Sequence, residues 1–148
     1  MKKVLKTIFV CFCMLALFIP AGCGNQKSNE VLMVEEALRQ DALKINNSIK
    51  TFYAGIISGG VSEEKDGDRI TEPLPYKSMS MADRQKAVKE LTVRSALEKS
   101  GLDEYLDENV ISNFVYDNEK NIYYKDDIPA ENIKGTLSLN TKLGDILG

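Results

Sequence analysis

From Val31 to Ile56 the apolar side chains return at steps of three and four: Val31, Val34, Leu38, Ala42, Ile45, Ile49, Phe52 and Ile56. At 100° per residue they fall within about 80° of one another on a helical wheel. Glu36, Gln40, Lys44, Asn47 and Thr51 take much of the opposite face. Nothing breaks the pattern before Gly59-Gly60, so it predicts one helix from about Asn29 to Ser58. An apolar stripe of that length gains its stability from whatever covers it, since isolated helices are marginal in water. A helix hairpin, a small sheet or another protein would serve, and in the last case Leu38, Ile45, Ile49, Phe52 and Ile56 form a docking stripe.

The helical period disappears between Gly59 and Met79. Ser62-Glu63-Glu64-Lys65-Asp66-Gly67-Asp68 is acidic and turn-prone, and Pro73 and Pro75 disfavour helix through Tyr76. The stretch is long for a structureless loop and reads as an excursion from the domain, ordered or mobile. A second helix is predicted from Ser80, with Asp83 in a capping-box-like position, to about Ser100, where Gly101 offers a left-handed cap and Leu102 a packing residue. Its apolar residues split into Ala87, Val88 and Leu91 on one face and Val93, Ala96 and Leu97 largely opposite, which implies contact on two sides. A short third helix fits Asp103 to Asn109. Ile111–Tyr116 and Ile122–Lys125 are rich in strand-favouring residues around a polar Asp117–Asn121 turn and predict a hairpin. Thr136–Asn140 would add a strand, and Thr141–Leu147 is ambiguous because Gly144 and Asp145 interrupt an apolar end. The expected class is α+β and helix-rich: a long N-terminal amphipathic helix, a second helix, and a small antiparallel hairpin or sheet toward the C-terminus.

The first 23 residues follow a different pattern. Lys2, Lys3 and Lys6 precede an apolar run from Thr7 to Ile19, then Ile19-Pro20-Ala21-Gly22-Cys23. A run of about 13 residues is too short for the roughly 20 that span a bilayer. Basic start, apolar run and small residues in that order describe a secretory signal. The closing residues resemble the lipobox of bacterial lipoproteins, with Pro20 where lipoboxes carry leucine or another aliphatic residue. The resemblance implies cleavage between Gly22 and Cys23, a diacylglycerol on the Cys23 thiol, and a domain held outside the cytoplasm on a membrane leaflet of the cell envelope. The chain then divides into a signal peptide over 1–22, a lipidated cysteine and polar tether over 23–29, and a single domain over 30–148.

That division changes what chemistry remains. Cys11 and Cys13 leave with the signal and Cys23 carries lipid, so the mature 126 residues have no cysteine for a disulfide, a nucleophile or a zinc site. Histidine is absent from the whole chain, which removes the usual general base and the commonest metal ligand. Loss of Lys2, Lys3 and Lys6 leaves 16 basic against 22 acidic residues, a net charge of −6 that a nucleic acid would repel. No polybasic patch adds to the lipid as a membrane anchor.

The remaining clusters have plain readings. Asp66-Gly67-Asp68 and Asp117-Asn118-Glu119-Lys120-Asn121 offer oxygens to calcium, but an EF-hand loop counted from Asp117 needs glycine and glutamate where Ile122 and Ile128 stand. A solvated turn fits better. Glu63, Glu64, Asp126 and Asp127 lie in charged stretches without the apolar surroundings that tune a catalytic carboxyl. Phe114, Tyr116, Tyr123 and Tyr124 form either an aromatic contact surface or, by alternation, part of the core. Asn46-Asn47-Ser48 matches a glycosylation sequon within the predicted helix, and Met79 and Met81 flank the start of the second helix as staples.

The plan of long helix, excursion and small antiparallel sheet resembles type IV pilins and pseudopilins, with Asn47–Gly55 similar to the soluble half of a pilin helix. The prepilin-peptidase site and the Phe-Thr-Leu-Ile-Glu start of pilins are replaced here by Pro20 and the lipobox-like run. These readings together lead to a lipid-anchored envelope lipoprotein, with no catalytic residues and no cofactor, whose partners are the membrane through Cys23 and a protein of the envelope. The alternatives are a pilin-like component of a filament or secretion assembly, and a small-ligand-binding lipoprotein.

Overall fold

The computed structural model describes residues 27–59, 63–65, 68–70 and 75–148, with backbone alone at 63–65, 68–70 and Pro75. The predicted signal segment, Cys23 and the first residues of the predicted tether lie outside the described residues. The long helix α1 runs Asn29–Ile57, within one residue of its predicted end. Of the part of the chain before Met33 only Lys27, Ser28 and the opening of α1 are described; Met33–Gly148 forms the body of the protein.

The class is α+β, as the sequence predicts. After α1 come a small hairpin of β1 (Glu63–Lys65) and β2 (Asp68–Ile70), a 3₁₀ turn at Pro75–Ser78, and helices α2 (Met81–Glu90) and α3 (Val93–Lys99). A 3₁₀ turn at Asp103–Tyr105 and the one-turn helix α4 (Glu108–Ile111) lead into β3 (Phe114–Asp117) and β4 (Ile122–Tyr124). The strand β5 (Ile133–Thr136) and the terminal helix α5 (Leu143–Leu147) complete the chain. The main sheet is antiparallel in the order β4-β3-β5, so β4 is an edge.

The predicted second helix is two helices, and the reason is tertiary. Leu91 is extended at ψ 154°, and Thr92 caps α3 by accepting from the Ser95 N–H at 3.4 Å. The C-terminal segment lies across this break. The N–H groups of Val93 and Arg94 donate to the carbonyls of Thr141 at 2.9 Å and Leu139 at 3.0 Å, and the Leu143 N–H donates to the Leu91 carbonyl at 2.8 Å. A segment distant in sequence thus satisfies the orphan donors of a helix start. The break also re-aims the chain, so Val88, Val93, Ala96 and Leu97 all reach the one core that the two-faced pattern had seemed to divide.

The caps at the outer ends match their sequence signals. The Ser80 Oγ accepts from the Asp83 N–H at 3.2 Å and donates to the Asp83 carboxylate at 2.6 Å. At the end of α3, Gly101 takes φ +66°, its N–H donates to the Glu98 carbonyl, and the Leu102 N–H reaches back to Leu97 at 3.0 Å. This is a Schellman cap, with Leu102 packed against the core as expected.

Other expectations shift. Ile111 belongs to α4 rather than to the hairpin, because the Asp107 side chain caps a helical turn there by accepting from the Asn109 N–H. The third strand is Ile133–Thr136 and not 136–140; beyond it Leu137 and Leu139 turn inward and are buried. The ambiguous end is helical. Its Gly144 permits close approach to α2, since a Cβ there would stand 3.1 Å from the Lys89 carbonyl oxygen.

The core takes Ile45, Ile49, Phe52 and Ile56 from α1, Val88 from α2, Val93, Ala96 and Leu97 from α3, Phe114 and Ile122 from the sheet, and Leu143 and Ile146 from α5. The stripe predicted as a docking surface is therefore occupied within the chain from Ala42 to Ile56, where Ile45, Ile49 and Ile56 are wholly buried and Phe52 nearly so. Leu38 is half-buried at its margin. The sheet and the following helices bury the stripe, and it is not free for a partner.

Candidate functional site

Two surfaces of α1 remain after the core is accounted for. The first faces β4. Arg39 extends its guanidinium to Asp127, with Nε 3.1 Å and a terminal nitrogen 3.3 Å from the two carboxylate oxygens. Three turns further along, the Lys50 ammonium donates to the Asn121 side-chain oxygen at 2.8 Å. Arg39 meets the chain after β4 and Lys50 meets it before β4, so helix and edge strand run antiparallel. Arg39, Ala42 and Leu43 on the helix and Ile122, Tyr123, Tyr124, Asp127 and Ile128 opposite line a groove of about 310 Å³.

The groove is apolar except for the ion pair and the tyrosine hydroxyls. Asp127 raises the Arg39 guanidinium above its ordinary value, first through their hydrogen bond and then through its charge. Burial raises the Tyr124 hydroxyl, and Asp126, to which it donates at 3.3 Å, adds to the shift. Arg39 is spoken for twice, since it also donates to Glu36 at 2.9 Å. Such a surface can hold a small apolar group beside a fixed charge pair. Its one carboxylate is already engaged by Arg39.

The second surface is the beginning of α1. Met33 and Val34 are 73% and 59% exposed, and Val31 and Leu32 before them are 44% and 49% exposed. Four consecutive apolar residues point in directions about 100° apart and so encircle the helix. Val31 and Val34 continue the stripe; Leu32 and Met33 do not.

Elsewhere the sequence candidates resolve into structure. The Asp117 carboxylate is buried and accepts from the N–H groups of Glu119 at 2.8 Å and Asn121 at 3.2 Å, while Lys120 takes φ +61°. The calcium-like run is a hairpin turn whose oxygen is spent on its own backbone. Among the described residues no group of three or more metal-ligating acids forms. Phe114 is in the core, edge-on to Tyr105 at 6.5 Å between ring centres, and Tyr116, Tyr123 and Tyr124 are half-buried. The four aromatics do not form one open surface. Glu63 and Glu64 lie on β1, their side chains outside the described residues, as are Asp66 and Gly67. Asn46 of the sequon is 7% exposed, which withholds its amide from a glycosylating enzyme. Its Oδ1 and the Ser48 Oγ are buried with no hydrogen-bond partner among the described residues. Met79, before α2, and Met81, its first residue, stay exposed.

Tyr105 and Asp41 form a contact that sequence reasoning missed. The Tyr105 hydroxyl donates to the Asp41 carboxylate at 2.6 Å across 64 positions of sequence, and burial together with that carboxylate pushes the phenol well above its ordinary value. Nothing local announces such a pair. The groove had one local signal: Leu43 is an apolar residue opposite the stripe, and it is 47% exposed at the groove. Among the described residues no helix is long and apolar enough to cross a membrane. Compared with family models, with curated proteins and with solved structures, the chain finds no match.

Proposed function

We propose that the chain is a lipid-anchored lipoprotein of a bacterial cell envelope, and that its folded domain acts by contact rather than by catalysis. The observation that carries this reading is the order basic start, short apolar run, Ala21-Gly22-Cys23. Two further features support it. A polar tether separates Cys23 from the first helical residue, Asn29, as a domain held close to a membrane requires. The mature sequence also lacks histidine and any cysteine besides the anchor, which removes the commonest catalytic and metal-binding groups.

The lipid supplies roughly 0.8 kcal/mol per buried methylene, so two or three acyl chains hold essentially permanently. The contact surface of the domain then lies on what the core leaves uncovered, chiefly the α1–β4 groove with its Arg39–Asp127 rim and the apolar opening of α1. In cells fed labelled palmitate, the full chain incorporates label and Cys23→Ala does not. Equal labelling of the two chains would refute the anchor.

A further inference from the structure

We propose that the apolar opening of α1 lies in the headgroup layer of the membrane that holds the lipid, so that the domain touches the bilayer through Val31, Leu32, Met33 and Val34 as well as through its anchor. This rests on the lipoprotein reading and names a second point of membrane contact. Three observations carry it.

The first is the ring itself. Each of the four residues is between 44% and 73% exposed, and together they face every direction around the helix axis. A groove on another protein, or a second copy of this chain, covers one side of a helix. A fluid interface surrounds it.

Chain length supplies the second observation. Asn29 stands six residues after Cys23. Whatever path those residues take, they reach at most about 20 Å, because an extended chain spans no more than about 3.6 Å per residue. A lipid on Cys23 therefore keeps the start of α1 within the thickness of the headgroup layer and its adjoining water.

The third is thickness and charge. Four helical residues rise about 6 Å. A helix entering end-on therefore sets the ring within a headgroup layer, which is about 5–7 Å deep on each side of the hydrocarbon core. Glu35 and Glu36 follow the ring on the domain side and oppose entry beyond it, and Glu30 before it confines the apolar run to these four residues. The attraction is apolar rather than electrostatic, and a zwitterionic surface suits it better than an anionic one.

The mature chain offers a clean test, since its only cysteine carries the lipid. The full chain is made as Met33→Cys or as Asn140→Cys, a control at an exposed position, and the new thiol is given an environment-sensitive fluorophore. Each is reconstituted into phosphatidylcholine vesicles containing bromine-labelled acyl chains, and flotation and quenching are read together. The expected result is flotation of both proteins with several-fold stronger quenching at position 33. Flotation with equal quenching at the two positions overturns the membrane contact and leaves the anchor standing. Failure to float overturns the anchor and the contact together. A position-33 label shielded from water but unquenched, in a protein that sediments as a dimer, assigns the ring to a second copy and also overturns the proposal.

Discussion

Truncating Ile49 to alanine tests whether the stripe on α1 is core. Ile49 is wholly buried among residues from α2, α3, α5 and the sheet. The change removes three carbons, worth about 0.8 kcal/mol each on transfer from water, or roughly 2.5 kcal/mol. The unfilled space adds a cavity penalty, which brings observed isoleucine-to-alanine losses in closed cores to about 2–5 kcal/mol. Alanine's better helix propensity returns roughly 0.5 kcal/mol at most. A net loss of about 3 kcal/mol is expected, a large share of the 5–15 kcal/mol typical of whole domains. Urea unfolding, followed by helical circular dichroism, reads it as a midpoint lowered by more than about 1 M at unchanged slope. Met33→Ala, on the exposed ring, should change the unfolding free energy in the same assay by no more than about 0.5 kcal/mol. If Ile49→Ala changed stability as little as Met33→Ala does, the stripe would not be core and the packing of α1 described above would be wrong.

Further outcomes follow from the same geometry. Gly101→Ala meets no steric neighbour, because nothing lies within 4 Å of the added carbon, yet it must hold φ +66°; the backbone alone should cost about 1 kcal/mol in the same urea assay. Tyr105 is raised above its ordinary value near 10, by burial first and then by its hydrogen bond to Asp41. The folded state therefore holds this proton more tightly than the unfolded one. Its contribution is complete below pH 10 and is lost as pH rises beyond that, so stability should fall in alkali and Tyr105→Phe should flatten the fall. A parallel alkaline decline in both proteins would discard the Tyr105–Asp41 account.

Local physics made α1 readable almost to the residue, because a stripe repeated over so many turns has one regular solution. Ser80 with Asp83, and Gly101 with Leu102, were readable for the same reason: a cap is built from residues adjacent in sequence. The break at Leu91-Thr92 was not. It depends on Leu139, Thr141 and Leu143, about fifty residues away, supplying and accepting the hydrogen bonds that make two helices better than one. The candidate surface divides along the same line. Leu43 lies opposite the stripe by periodicity, but Asp127 and Ile128 join it only because β4 runs beside α1.

The linear order of residues alone decided the long helix, the caps at Ser80 and Gly101, the absence of histidine and the lipobox-like start, since each depends on residue type and near neighbours. Which apolar residues are spent inside the molecule and which are left over was decided by folding. Ile45, Ile49, Phe52 and Ile56 share a periodicity with Val31 and Val34, yet only the former meet a sheet and helices that cover them. Burial belongs to pairs of surfaces, and the second surface comes from residues far along the chain.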